Sequence, residues 1–152
     1  MKKIIIFDTT LRDGFQSSGI TAGLSEKIEI AKLLDGLGVD KIELGFPFAS
    51  KTDYETIKKT QNLHARIFGL ARPKEKDIQT VKESGCKSMH IFVPASTRYI
   101  KTMYKTQTEF FEEISTALKL SKELKLKTEL SLMDAPRAEM DTIKKINDFS
   151  HA

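Results

Sequence analysis

The residues best suited to chemistry lie together near the start of the chain, in the stretch Asp8-Thr9-Thr10-Leu11-Arg12-Asp13-Gly14-Phe15-Gln16. This stretch directly follows an apolar run at residues 4–7, which is short, β-branched and aromatic and is therefore typical of a buried strand. Carboxylates, a guanidinium and an amide thus gather where a core strand meets its loop. Charges beside a buried strand destabilise the fold unless they pair or bind an ion. The stretch is therefore either a structural ion pair or a functional site.

Strand and helix patterns alternate along the rest of the chain. Strands are predicted at residues 39–46, 65–71, 86–93 and 126–132, and helices at residues 25–37, 52–61, 74–84, 108–124 and from 138 onward. Residues 98–105 are predicted as a loop or a partly helical link. Consecutive strands joined by helices run parallel with right-handed crossovers. The predicted fold class is therefore α/β, with about five βα units.

Two architectures fit this order, a doubly wound open sheet and a (β/α)8 TIM barrel. The second and third strands carry Lys41, Glu43, Arg66 and Gly69 among apolar residues, and neither G-x-G-x-x-G nor a P-loop occurs in the sequence. Because the inner face of a barrel accepts such residues on alternate positions, the pattern favours the barrel.

A complete barrel takes about 250 residues, whereas this chain has 152. We therefore interpret residues 1–152 as a single domain that forms the N-terminal part of a (β/α)8 catalytic domain. A parallel sheet that does not close leaves unpaired strand edges, which favour association. We expect a homo-oligomer or a complementing half barrel.

Composition excludes several classes of protein. No apolar run approaches the roughly 20 residues of a membrane span, and too few apolar residues follow the N-terminal Met1 for a signal peptide. The single cysteine, Cys86, suits a reducing cytoplasm. The net charge of +4 comes without interleaved basic and aromatic residues, so no nucleic-acid partner is expected.

The ends of the predicted strands supply the candidate site, because parallel α/β folds bind ligands at the carboxyl ends of their strands. These ends carry Arg12, Asp13, Gln16, Arg72, Ser96, Thr97, Asp134 and Arg137. Arginines that converge with carboxylates suit an anionic substrate and a hard divalent cation. In a regular strand Arg12 and Asp13 would lie on opposite faces, and we expect a turn at Gly14 to let both face the mouth of the barrel.

The motif at residues 8–16 resembles the opening Asp-Thr-Thr-Leu-Arg-Asp-Gly-x-Gln motif of the acyl-CoA-dependent aldol/Claisen TIM-barrel enzymes. These are the 2-isopropylmalate, citramalate and homocitrate synthases and the related hydroxymethylglutaryl-CoA lyases. The resemblance continues through residues 25–31, 38–47, 69–72 and 90–96, which extends it over nearly the whole chain. In detail the chain is more similar to the isopropylmalate/homocitrate synthase branch than to the lyases.

This resemblance implies a transferase that condenses acetyl-CoA with a 2-oxo acid and uses a divalent metal (Mg²⁺, Mn²⁺ or Zn²⁺). It implies that Asp13 is a metal ligand and that Arg12 is catalytic and neutralises a developing negative oxygen. Gln16, Arg72, Ser96 and Arg137 would bind substrate.

The sequence departs from the family pattern at three places. Phe15 stands where the family is often acidic or polar, and Met133 replaces a glutamate. The His-x-His metal pair of the family does not occur among this chain's histidines, His64, His90 and His151, of which His90 is expected to be a strand residue and not a ligand. Three hypotheses follow: a synthase whose isolated chain is inactive, a lyase that cleaves a carbon–carbon bond, and a non-catalytic partial barrel that self-associates.

Overall fold

A computed structural model describes residues 4–104 and 106–151 of the chain. The strands are β1 (Phe7–Asp8), β2 (Lys41–Glu43), β3 (Arg66–Ala71), β4 (Ser88–Pro94) and β5 (Lys127–Met133). The helices are α1 (Leu24–Gly36), α2 (Lys51–Lys59), α3 (Glu75–Glu83), α4 (Thr97–Met103), α5 (Gln107–Glu123) and α6 (Met140–His151). Short 3₁₀ turns at Gly14–Gln16 and Ala135–Arg137 follow β1 and β5.

The five strands form one parallel sheet whose spatial order, β1-β2-β3-β4-β5, is the order along the chain. A doubly wound sheet reverses its strand order at a switch point, whereas a barrel does not. The unbroken order therefore confirms the predicted partial (β/α)8 barrel.

Side-chain contacts show that the sheet is curled. In a flat sheet β2 and β5 would be roughly 14 Å apart, which is three strand spacings. Lys41 of β2 nevertheless forms an ion pair with Glu129 of β5. The sheet must therefore be concave on the face that carries these two side chains, as in the wall of a barrel.

The apolar core lies between the convex face and the helices. Met89, Ile91 and Val93 of β4 are fully buried within it. A Cβ at Gly69 of β3 would lie 3.4 Å from Ile57 of α2, so the helix packs closely on this strand. Alternate strand residues that face the other way include buried polar groups, and these build the concave face.

Several predicted boundaries are wrong by a few residues. The first strand is limited to Phe7–Asp8, and Ile4, Ile5 and Ile6 before it are exposed. The first helix begins at Leu24 rather than at Ser25, because the Gly23 backbone N–H donates to the Glu26 side chain at 2.7 Å and starts the helix earlier.

The region after β4 contains a helix where a loop or partly helical link was expected. Ser96 begins α4, since its hydroxyl accepts a hydrogen bond from the Tyr99 N–H, and the helix continues to Met103. Thr106 rather than Thr108 begins α5 by accepting from the Glu109 N–H at 3.1 Å, while Lys105 lies outside the described residues. Among the described helices, none is both long enough and apolar enough to cross a membrane.

Candidate functional site

The loop after β1 is shaped by the side chain of Asp8. Its Oδ1 accepts a hydrogen bond from the Thr10 N–H at 2.9 Å and its Oδ2 accepts from the Thr10 hydroxyl at 3.1 Å. The Thr9 carbonyl accepts from the N–H groups of Arg12 and Asp13 at 3.1 and 2.8 Å. The chain therefore turns at Thr9, earlier than the turn expected at Gly14.

This turn brings Arg12 and Asp13 into contact at the carboxyl end of β1. The Arg12 Nη1 lies 2.8 Å from the Asp13 Oδ1. The Arg12 side chain is largely buried, with 12% exposed, whereas 64% of the Asp13 side chain is exposed. The arginine is thus a fixed group and the aspartate is open to a ligand.

A chain of hydrogen bonds runs from Arg12 across the concave face. Arg12 Nε donates to Glu43 Oε2 at 2.7 Å, and the other Glu43 oxygen lies 2.7 Å from Nδ1 of His90. His90 Nε2 in turn lies 2.6 Å from the hydroxyl oxygen of Ser131. Because a carboxylate can only accept, the Nδ1 of His90 carries its proton. The network therefore connects the loop after β1 with β2, β4 and β5 at the level of the candidate site.

Glu43 is the central member of this network and is completely buried. A buried carboxylate is tolerated when it is paired and hydrogen-bonded, and Arg12 and His90 satisfy both conditions. Glu43 therefore sets the position of Arg12.

A second cluster forms at the ends of β4 and β5. Asp134 has a left-handed backbone (φ 61°) and forms an ion pair with Arg137. A hydrogen bond from Ser96, assisted by the charges of Arg137 and Arg98, lowers the pKa of Asp134 below its ordinary value. Two of the residues predicted from strand ends, Ser96 and Arg137, are thus brought together by Asp134.

Arg72, at the end of β3, has partners of its own. Its Nε and Nη2 donate to the carboxylate of Asp77 at 2.8 and 3.0 Å, and this hydrogen bonding raises the pKa of Arg72. The guanidinium also lies 5.5 Å from the ring centre of Phe46 and 5.2 Å from that of Phe48. Half of the Arg72 side chain is exposed.

Gln16 lies on the exposed rim of the first loop, where its N–H donates to the Asp13 carbonyl at 3.1 Å. Within residues 4–104 and 106–151, neither Gln16 nor Arg72 shares a side-chain hydrogen bond or ion pair with the other predicted site residues. The structure therefore brings the predicted residues together in two clusters and leaves these two apart.

The sequence did not single out Glu43, His90 and Ser131 as site residues. Glu43 had been noted only as a polar residue compatible with a barrel, and His90 only as a strand residue, which it is. The available signal was an acid within a strand predicted to be buried, because such a group requires a buried counter-charge.

The described part of the chain contains no cluster of three or more His, Cys, Asp or Glu side chains that could hold a metal ion. His64 is a surface residue, with its Nδ1 3.1 Å from Asp35 and 97% of its side chain exposed. Asp13 is the one metal ligand that was predicted from the sequence, and it lies at the rim of the sheet with an exposed carboxylate.

Comparisons with known proteins agree with this architecture. A family model described as HMGL-like matches residues 3–151. The probable 2-isopropylmalate synthase of Methanosarcina acetivorans is 43% identical over 141 residues, which cover 91% of this chain and 27% of that protein. The 2-isopropylmalate synthase of Methanocaldococcus jannaschii is 43% identical over 142 residues, again with 91% and 27% coverage. The chain therefore spans less than a third of the length of these curated relatives.

Solved structures of lower sequence similarity share the fold. The HMG-CoA lyase of Brucella melitensis aligns with a TM-score of 0.79 at 16% identity, and the alignment covers 98% of this chain and 59% of the lyase chain. An HMG-CoA lyase of Acinetobacter baumannii, in complex with coenzyme A and 3-methylmalate, aligns with a TM-score of 0.78 at 17% identity, with 97% and 52% coverage. At these identities the likeness concerns the fold, and it agrees with a partial barrel.

Proposed function

We propose that this chain, which belongs to the HMGL-like family, is the N-terminal part of a (β/α)8 catalytic domain of the 2-isopropylmalate synthase type. The complete enzyme would condense acetyl-CoA with a 2-oxo acid, assisted by a divalent metal ion. The observation that carries the proposal is the fixed position of Arg12, which buried Glu43 holds at 2.7 Å beside the exposed carboxylate of Asp13. With one buried Cys86, we expect the protein to work in the reducing cytoplasm.

Arg12 has the geometry of an anion-binding group. A guanidinium has five N–H donors, and the contacts with Glu43 and Asp13 use one each. Among the described residues the other donors have no further hydrogen bond, so they could bind oxygens of a 2-oxo acid. As the carbonyl oxygen of such a substrate becomes negative, a guanidinium already held in place stabilises it without reorganisation, which is worth about 3–4 kcal/mol at sites of this kind.

The divalent metal fits this part of the chain only in part. Asp13 offers an exposed carboxylate, a ligand type that Mg²⁺, Mn²⁺ and Zn²⁺ accept. The described residues supply no set of three such ligands. The remaining ligands would come from strands beyond β5.

We assign substrate-binding roles to four further residues of the rim, Gln16, Arg72, Ser96 and Arg137. For Arg137 the role is supported by two observations: 75% of its side chain is exposed, and the ion pair with Asp134 holds the guanidinium in place. Arg72 keeps one terminal nitrogen beyond the two nitrogens that Asp77 binds. Both could therefore bind a carboxylate or phosphate oxygen without losing their present partners.

The function is tested by measuring release of free CoA from acetyl-CoA with 2-oxoisovalerate, pyruvate or 2-oxoglutarate and Mn²⁺. We expect no release by the isolated chain. We expect release by a chimera in which residues 1–152 replace the matching segment of the Methanocaldococcus jannaschii relative. In the chimera, Arg12→Ala should lower turnover about 10²–10³-fold.

The matched control for this substitution is Arg66→Ala. Arg66 is exposed at the amino end of β3, whereas the candidate site lies at the carboxyl ends of the strands. Robust turnover by the isolated chain would contradict the expectation that the remaining strands are required. A folded chimera that releases CoA with none of the three 2-oxo acids would count against the function itself.

A second candidate is a non-catalytic partial barrel that associates with another polypeptide or with itself. It is favoured by Met133, which cannot transfer protons, and by the absence of a metal-ligand cluster in the described residues. Two chimeras, one with Met133 and one in which Met133→Glu restores the acid, separate the candidates: CoA release by either supports a synthase, and no release by either folded chimera supports the partial barrel. A carbon–carbon lyase is a third candidate, favoured by the fold of the HMG-CoA lyases alone.

Self-association of the isolated chain is a further expected outcome. Only β2 pairs with β1 and only β4 pairs with β5 in the described sheet, so both outer edges are open. Ile4, Ile5 and Ile6 beside β1 are 83%, 59% and 54% exposed. Light scattering should detect species larger than a monomer, and Ile5→Lys should reduce them more than Leu37→Lys, since Leu37 is exposed after α1. A clean monomer at all concentrations would contradict the proposal.

A further inference from the structure

An ion pair that takes no part in the site described above lies behind the first loop. Lys27 of α1 and Asp53 of α2 approach to 2.5 Å, and only 10% of each side chain is exposed. Burying both charges is unfavourable unless further hydrogen bonds and contacts satisfy them. The additional contacts of the two residues therefore indicate what the pair holds in place.

Asp53 holds the loop that follows β2. Its second carboxylate oxygen accepts a hydrogen bond from the Phe46 N–H at 2.9 Å, and the Asp53 N–H donates to the Ser50 hydroxyl oxygen at 3.2 Å. A Cβ at Gly45 would lie 2.3 Å from this carboxylate, and the φ of Gly45 is 139°. The backbone of the β2 loop is thus packed directly against Asp53.

Lys27 contacts the loop that follows β1. Its ammonium nitrogen lies 5.2 Å from the ring centre of Phe15, within the distance of a cation–π interaction. Phe15 belongs to the Gly14–Gln16 turn, directly after Arg12 and Asp13, and its ring is partly buried against the core. The Phe15 N–H donates to the Thr10 carbonyl at 3.1 Å, so the backbone that carries this ring is hydrogen-bonded within the turn.

We propose that Lys27 is a positioning residue for the loop that carries Arg12 and Asp13, acting through the ring of Phe15 and anchored by Asp53. The Asp8 hydrogen bonds with Thr10 fix the beginning of this loop, and Lys27 fixes its end. The pair also links the first loop to the second, because Asp53 binds both Lys27 and the Phe46 backbone. The aromatic residue at position 15 thereby has a role of its own. The inference concerns the loop and does not depend on which reaction the complete protein performs.

The test is amide hydrogen exchange measured by NMR on the full chain. The reporters are the amides of Phe15 and Gln16, which donate to Thr10 and Asp13, and the reference is the amide of fully buried Ile91. In Lys27→Met we expect the reporters to exchange roughly tenfold faster relative to the reference, as suits the loss of a desolvated cation–π contact. Lys27→Arg keeps the cation and should stay within about threefold of the original chain.

Phe15→Leu provides a second variant that leaves the buried ion pair intact, which keeps the test decisive even if Lys27→Met does not fold. It should accelerate the same two amides, and the effects of Lys27→Met and Phe15→Leu should not add in the double variant. The ring of Phe15 should also shift the NMR signals of the Lys27 Cε protons upfield, and Phe15→Leu should remove this shift.

The inference is overturned by any of three results. The reporters and Ile91 accelerate by the same factor, which would mean that the pair stabilises only the whole fold. The two substitutions add fully in the double variant, which would mean that the ring and the cation act separately. The upfield shift is absent from the original chain.

Discussion

Replacing Glu43 by alanine tests how Arg12 is held at the candidate site. Glu43 is fully buried and accepts hydrogen bonds from Arg12 Nε and from His90 Nδ1, each at 2.7 Å. The substitution removes both acceptors, so that a guanidinium and an imidazole N–H lose their partner in a buried environment. We therefore expect a large loss of stability from a single side chain.

The magnitude follows from the contacts that are lost. Breaking a buried ion pair by removing one partner costs about 3–5 kcal/mol. In the variant the Arg12 guanidinium keeps its ion pair with Asp13, and 12% of its side chain is exposed to water. The expected loss of unfolding free energy is therefore near the lower end of this range, at about 3–4 kcal/mol. With an m-value of about 2 kcal/mol/M, the urea midpoint should fall by roughly 1.5–2 M. Glu43→Gln keeps one acceptor oxygen and should cost less, about 1–3 kcal/mol.

The assay is urea unfolding followed by circular dichroism at neutral pH. The control is Glu29→Ala on the exposed side of α1, where we expect a change within about 0.5 kcal/mol. The double variant with Arg12→Ala should cost about 1–3 kcal/mol less than the sum of the single variants, because each single change leaves the other member of the pair buried without its partner, whereas the double change removes both. Full additivity, or a loss in Glu43→Ala no larger than in the control, would refute the argument that Glu43 positions Arg12.

Two further predictions concern pH. The hydrogen bond from Ser96 lowers the pKa of Asp134, so the unfolded chain takes up this proton first as pH falls. The stability that Asp134 contributes is therefore complete above the ordinary carboxyl pKa of about 4 and is lost as pH falls through the lower folded value. Asp134→Asn should accordingly lower the urea midpoint at neutral pH but not at strongly acid pH, and a constant difference would contradict this. Burial, followed by the hydrogen bond to Glu113, raises the pKa of Tyr104, whose neutral form therefore adds stability that is lost as pH rises through the raised value. Of the three tyrosines, Tyr104 should be the last to ionise in alkaline absorbance titrations; simultaneous ionisation would argue against its buried contact with Glu113.

The order of strands and helices could be predicted because apolar periodicity is a local property of the sequence. Helix starts were less predictable, since a cap depends on backbone geometry that tertiary contacts decide. At α1 the first turn is set by the Gly23 N–H and the Glu26 side chain rather than by Ser25. At α4, Ser96 accepts from the Tyr99 N–H three residues on and also lies beside Asp134, the residue after β5, a neighbour that no local pattern reveals.

The candidate site was predictable to the extent that it follows strand ends. Arg12 and Asp13 lie at one such end, and Ser96, Asp134 and Arg137 meet at two neighbouring ends. The contact of Glu43 with His90 was not predictable, because these residues are 47 positions apart and meet only through the curvature of the sheet. A pattern of alternation gives the face on which a side chain lies, but not how far the sheet bends to bring two strands together.

The distribution of charge on the concave face determines what a completing partner must supply. Arg12 is neutralised by Glu43, and Lys41 is neutralised by Glu129, so these charges are satisfied within the five strands. The outer edges of β1 and β5 instead lack strand partners in the described sheet, and apolar Ile4, Ile5 and Ile6 are exposed beside one of them. Strand pairing and apolar burial should therefore drive association, whereas ion pairs should contribute little. At 1 M salt the Debye length is about 3 Å, so attraction between exposed charges is largely screened. Light scattering should therefore still detect oligomers of the chain at 1 M salt. Dissociation of these oligomers would show instead that exposed charges make the contact.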